Sequence, residues 1–483
     1  VSFTSIAFPL LFGITVIIFF VVPARIRWLV LLISSYYFYM SWHAAYVVLL
    51  LACTVVNYYA AIRISSSQSQ SGRKRWLLTS LVLSLGLLLF YKYVAFVIQN
   101  LQWLLKPFSL PLGEWQWQFN ILLPIGISFY TFQALSYTID VYRGNQAPEK
   151  HFGKFALFVS FFPQLVAGPI EKAKHLLPQL IHTKKFNYQN ASSGFQRMLL
   201  GYFKKFVIAD SAAIVVNHVY GNPGAFNGPA LFIATVLFAF QIYYDFSAYC
   251  DIAIGAARVL GINLIENFNR PYSARTITDF WRRWHISLMM WFREYIYIPL
   301  GGNRVSLLKH IRNILIVFLI SGIWHGAAWT FIIWGIMHGI FVLVEMLIKR
   351  SGSSLPSRLR WLGVPYTFLA VTFSWIFFRA ESIQDALSIS KKIAYESTQW
   401  LTGSFSMNWH QITAELILDR IDLLILFSFI VLMEVGMWLK QKQYWQQLYL
   451  NNRIFRWPVL YALILCMFIF GSYENEAFIY FQF

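Results

Sequence analysis

Charge is scarce in this chain: only 12% of its 483 residues are Asp, Glu, Lys or Arg, 20 of them acidic against 39 basic. So little polar surface cannot coat a soluble globule of this length, which excludes a water-soluble domain. Cysteine is scarcer still, with three residues. Cys53, Cys250 and Cys466 are scattered without metal-ligand spacing, read as small buried hydrophobes, and do not report the redox compartment. HExxH, a P-loop, paired CxxC and a GxSxG elbow are all missing. Metalloprotease, nucleotide hydrolase, zinc module and α/β-hydrolase readings therefore lose their signatures.

What the chain has in abundance is apolar surface: 58% hydrophobic and 19% aromatic residues, with a mean hydropathy of +0.55. Stretches at 5–22, 28–42, 46–62, 77–97, 120–140, 195–219, 230–249, 361–378, 421–439 and 458–471 each approach the roughly 20 residues a spanning helix needs. The expectation is an all-α polytopic membrane protein, one integral domain over 1–483 with about ten crossings and no linker. Residues 1–22 carry no charge, and Arg25 and Arg27 follow the apolar run. A secretory signal has the opposite order, so a retained first span with its N-terminus outside is expected.

A net charge of +19 would point to nucleic acid in a soluble protein, but here its distribution follows topology. Basic clusters at 25–27, 63–75, 172–185, 270–312, 349–360 and 440–456 alternate with neutral or acidic connections at 101–119, 220–229, 381–419 and beyond 471. Placing every basic cluster in the cytoplasm leaves both termini outside. Some positive charge is left over for an anionic ligand.

Two segments do not read as simple crossings. Residues 151–170, HFGKFALFVSFFPQLVAGPI, lie between basic clusters and are interrupted by Pro163 and Gly168-Pro169, as a re-entrant hairpin would be. The same pattern holds for 314–348, with breaks expected at Ser321-Gly322 and Gly326. Within it His325 is the only ionisable side chain from Ile314 to Met337, and such a group at membrane depth is a functional candidate by default. The alternative is a structural histidine donating to a neighbouring carbonyl. On a continuous helix His338 would sit about 20 Å from His325 and well off its face, which rejects the two as a metal pair unless the helix folds back sharply.

Residues 278–304, TDFWRRWHISLMMWFREYIYIPLGGNR, interleave Arg282, Arg283, His285, Arg293 and Glu294 with Trp281, Trp284 and Trp291. Interfacial or funnel-lining helices show this alternation. An ordinary interfacial anchor explains the aromatics but explains His285 less well. Asp245 and Asp251 are expected to pair structurally with nearby arginines.

These motifs resemble the membrane-bound O-acyltransferase (MBOAT) superfamily, specifically its bacterial alginate O-acetyltransferase branch. The resemblance is carried in order by LLPIGISFYTFQALSYTIDVYRG (122–144), FFPQLVAGPI (161–170), GYFKKFVIAD (201–210), YYDFSAYCDIAIG (243–255), ENFNRPY (266–272), DFWRRWHISLMMWFREYIYIPLGGNR (279–304) and SGIWHGAAWTFIIWGIMHG (321–339). Ala248 and Cys250 depart from a common glycine and serine of the branch. The resemblance implies a helical bundle whose cytoplasmic and periplasmic funnels meet at a thin partition. It places the invariant histidine on His325 and the second catalytic polar residue on His285. It further implies acetyl-CoA as a cytoplasmic donor substrate, no bound cofactor or metal, and a location in the bacterial inner membrane. The implied partners are membrane lipid and a periplasmic SGNH-type acetyltransferase or acceptor polysaccharide: an alginate-like exopolysaccharide, cellulose or peptidoglycan. Arg282, Arg283 and Arg304 are then candidates for the donor's phosphates, since guanidinium suits phosphate. The terminal FIYFQF (478–483) is expected to dock on a partner or in the outer funnel, with the Tyr480 hydroxyl a candidate acyl relay, or else to anchor at the membrane interface. D-alanyl transfer to teichoic acid and a transporter without bond chemistry are the competing functions.

Overall fold

The computed structural model describes residues 2–106, 124–182, 185–352, 357–403, 409–445, 448, 452–473 and 478–479. Among them the chain is helical, with no strand. Seven of the described helices are long and apolar enough to cross a membrane: Tyr46–Ser66, Gln70–Leu105, Gly228–Val259, Leu307–His325, Trp329–Arg350, Leu359–Arg379 and Arg420–Lys440, with Ala7–Val21 and Ile454–Phe470 shorter but apolar. Helices follow from the solvent, because lipid cannot satisfy backbone N–H and C=O groups and a helix bonds them internally.

The chain forms two compact units. The first comprises 1–195, 253–265 and 326–328. Its helices are stapled by uncharged hydrogen bonds centred on Asn57: Ser80 Oγ and Thr138 Oγ1 each donate to its Oδ1 at 2.8 Å, and its Nδ2 donates to Ser84 Oγ at 2.9 Å. Small polar side chains join helices this way where the hydrophobic effect offers no drive. In the segment with Pro163, a helix of only nine residues, Phe152–Ser160, rises about 13.5 Å, too short for a hydrocarbon core of roughly 30 Å. It gives way to buried irregular backbone over 161–171. Side chains meet the helix end and the irregular stretch: Gln133 Nε2 donates to Phe158 O in the helix's last turn at 2.5 Å, and Phe162 N donates to Ser35 Oγ at 3.1 Å.

The second unit comprises 196–252, 266–325 and 329–483. Here the segment at 314–348 breaks at Gly326 as expected, but not at Ser321-Gly322. Leu307–His325 runs unbroken through Ser321-Gly322, and the chain leaves helical geometry only at 326–328 before Trp329–Arg350 begins. Gly322 and Gly335 serve approach instead of breakage. A Cβ on Gly322 would collide with the Phe331 carbonyl, and one on Gly335 with the Phe318 carbonyl. Small residues let two helices pack backbone to backbone in this way.

Candidate active site

The hairpin of Leu307–His325 and Trp329–Arg350 places His325 as the last residue of its first helix. The side chain is buried, with aromatic rings on three sides: Trp324 at 4.9 Å between centroids, Trp334 at 5.0 Å and Phe378 at 5.4 Å, all edge to face. An imidazole in this place can serve as a general base.

His285 joins two short helices, Ile277–Trp281 and Ile286–Phe292, and is wholly buried in a left-handed backbone conformation, φ 44°. Its ring meets Phe246 at 4.8 Å and Trp324 at 5.8 Å. One indole, that of Trp324, therefore touches both histidines the sequence singled out.

The fold-back that would bring His338 near His325 does occur, at 326–328. His325 and His338 each pack against Trp334 with centroids 5.0 Å apart. No group of three or more metal-capable side chains occurs among the described residues, and the polar partners of His338 are of another kind. Trp281 Nε1 donates to His338 Nδ1 at 3.2 Å, and His338 Nε2 lies 2.8 Å from Ser374 Oγ, which itself donates to Val371 O at 2.7 Å. An indole only donates, so Nδ1 accepts and the neutral ring carries its proton on Nε2. The chain Trp281, His338, Ser374, Val371 thus runs in one direction.

Trp281 also lines a cavity of about 1370 Å³, together with Arg275, Arg282, Arg293, Lys349 and Arg360 and apolar wall residues such as Val317 and Phe318. Its two acidic residues are engaged elsewhere. Asp279 pairs with Arg283 at 3.0 Å, and Glu345 accepts from Thr278 N at 3.0 Å and Thr278 Oγ1 at 2.9 Å. None of the five cations has a carboxylate within ion-pair distance among the described residues. Of the three arginines expected to meet phosphate, Arg282 lines this cavity. Arg283 is tied to Asp279 and to Ser273 Oγ at 3.1 Å, and the exposed Arg304 lies outside the lining. Trp281 packs in turn on Trp334 at 5.7 Å, so aromatic contacts run without a gap from the cavity wall to His325.

The carboxylates of Gly228–Val259 are paired, as their burial requires. Asp251 takes Lys204 at 2.7 Å and Arg197 at 2.9 Å, while Lys205 bridges Asp245 at 2.7 Å and Asp210 at 2.8 Å. Lysines supply most of these contacts where arginines were expected. Both sit at the start of a π-helical turn, Lys204–Ala209, a geometry that recurs at functional sites. The described tail residues Phe478 and Ile479 pack on this cluster. Ile479 N donates to Asp245 Oδ2 at 2.6 Å, and the Phe478 ring lies 4.4 Å from Lys205 Nζ and 5.0 Å from the Tyr249 ring, with both tail residues buried. Tyr480 lies outside the described residues.

Sequence reasoning missed the Trp281–His338–Ser374 chain and the cavity cations Arg275, Lys349 and Arg360, while Arg293 was singled out only as part of the interleaved segment. The basic cluster at 270–312 contained part of that signal, but only the fold selects which of its members face one space.

The family model described as membrane-bound O-acyltransferase matches residues 75–383. The protein named "Probable alginate O-acetylase AlgI" of Azotobacter vinelandii is 39% identical over 80% of this chain and 75% of its own length. The peptidoglycan O-acetyltransferase of Helicobacter pylori is 36% identical over 75% of this chain and 72% of its own. The teichoic acid D-alanyltransferase of Bacillus subtilis is more distant, 28% identical over 54% of this chain and 69% of its own length. The chain belongs to the membrane-bound O-acyltransferase family and is a multi-pass membrane O-acetyltransferase.

Proposed function

We propose that the protein takes acetyl from cytoplasmic acetyl-CoA and delivers it, across the bacterial inner membrane, for O-acetylation of an extracytoplasmic polysaccharide such as an alginate-like polymer, cellulose or peptidoglycan. The observation that carries this reading is the basic cavity joined by Trp281 and Trp334 to the buried His325. Arg282 and its neighbouring cations meet the donor's phosphates, and Arg283 and Arg304 serve the approach to them. With the basic clusters inside, the cavity faces the cytoplasm and both described ends of the chain face out.

At the partition His325 accepts the proton of the acceptor hydroxyl as its oxygen attacks the thioester carbonyl. The C–O bond forms, the C–S bond breaks, and the proton passes to the departing thiolate, leaving CoA thiol and a neutral imidazole. His285 orients the donor or stabilises the charge developing on the carbonyl oxygen. The acceptor hydroxyl belongs to the glycan, to a periplasmic SGNH-type partner, or to Tyr480 acting as a relay.

Purified protein in nanodiscs, offered radiolabelled acetyl-CoA or a D-alanyl-charged carrier protein, separates the donors. Label transfer with release of CoA thiol is expected from acetyl-CoA. Transfer from the charged carrier alone would replace this reading with D-alanylation. Acetyl transfer unchanged by Tyr480→Phe would remove the relay while leaving the donor assignment in place.

A further inference from the structure

The backbone at His285 is one that a side chain with a Cβ adopts rarely, φ 44° and ψ 52°. Left-handed geometry crowds the Cβ against the following carbonyl, and it persists only where the surroundings over-determine it. Central among those surroundings is Asn267, which is 1% exposed. Its carbonyl oxygen accepts from Ile286 N at 3.0 Å. Its side-chain Oδ1 accepts from both Ser287 N at 3.1 Å and Ser287 Oγ at 2.9 Å, and its Nδ2 donates to Cys250 Sγ at 3.4 Å. The two residues after His285 are thus fastened to a single asparagine, and the His285 carbonyl starts the next helix by accepting from Met289 N at 3.1 Å. With the turn fixed, the imidazole is held between Phe246 and Trp324, the indole that also contacts His325.

We propose that Asn267 is a positioning residue for His285: it touches no reacting atom, but its hydrogen bonds lock the strained turn that sets the imidazole against Trp324. This rests on the reading of His285 as part of the transfer machinery. The Asn267 side-chain oxygen binds the N–H and the hydroxyl of one serine together, so leucine, which keeps asparagine's branched outline, removes the side-chain part of the lock without opening a void, while the backbone bond to Ile286 N remains. Aspartate keeps the acceptor.

The experiment uses the full chain in cells lacking their own copy and follows the initial rate at which radiolabelled acetate accumulates as alkali-labile ester on surface polymer. Membrane content and thermal melting of each solubilised variant are measured alongside. Asn267→Leu is expected to lower the rate about 100-fold or more while its melting temperature stays within a few degrees of the parent. Asn267→Asp is expected to return it to within about tenfold, and Ser287→Ala to fall between. On a His285→Ala background, Asn267→Leu is expected to lower the residual rate no further. The inference is overturned if Asn267→Leu keeps the parental rate, if its loss matches the loss of folded protein with Asn267→Asp no better, or if the two substitutions multiply. A parental rate in His285→Ala itself would sink the catalytic reading of His285 and this inference with it, an outcome distinct from failure at Asn267 alone.

Discussion

The His325 imidazole meets the Trp334 indole edge to face, ring centres 5.0 Å apart at 84°. Trp334 is wholly buried, touches His338 at the same 5.0 Å and stacks on Trp375 at 5.6 Å. The place of the proposed base is thus set by rings that are themselves locked. Replacing Trp334 with Ala is expected to destabilise the protein by about 3–5 kcal/mol, the range for emptying a buried aromatic site, and to abolish acetyl transfer. Trp334→Phe should retain the fold and part of the rate. Thermal melting with ester yield from the same preparations checks both.

Gly322→Ala and Gly335→Ala test the hairpin itself. Each added methyl runs into a carbonyl of the facing helix, and overpacking of this kind costs about 1–3 kcal/mol or more. Both variants should melt earlier than the parent and lose activity in proportion, whereas Gly13→Ala, whose Cβ would meet nothing within 4 Å, should change neither.

His338→Phe preserves the ring but removes both nitrogens, leaving the Trp281 indole N–H and the Ser374 hydroxyl without their present partner. An orphaned buried polar group costs about 1–3 kcal/mol. The same variant on a Ser374→Ala background should lose less than on the parent. A cycle of melting measurements on the four proteins reads that coupling directly.

Much of this site was legible before any fold was known, and the reason is energetic. An imidazole alone in an apolar run is costly wherever the chain places it, so His325 stands out by its neighbours in sequence, and the helical class follows from composition. The Trp281–His338–Ser374 chain spans positions far apart along the sequence, and no local pattern marks a pair that only tertiary packing creates. The His285 turn was hidden because nothing in WHIS signals left-handed backbone; a glycine there would have done so. Breaks were expected at Ser321-Gly322 because glycine disfavours helix in water, whereas inside a packed hairpin it permits close approach.

Asp245→Ala should loosen the C-terminal segment while the chain stays folded. The carboxylate accepts the Ile479 N–H, and Lys205 keeps Asp210 when Asp245 is gone. Hydrogen bonds to charged groups are worth about 1.5–3 kcal/mol, enough for about a tenfold or greater rise in the open population. Hydrogen exchange at the Ile479 amide should be correspondingly faster in the variant than in the parent. Lys205→Met, which strands two carboxylates, should instead cost about 3–5 kcal/mol and depress melting of the whole protein.

His325→Ala, expressed in place of the native copy and measured for alkali-labile acetate on surface polymer, bears most directly on the central claim. The account predicts no acetylation above background, from a protein that inserts, accumulates and melts like its parent. Acetylation at the parental rate from that variant would contradict it.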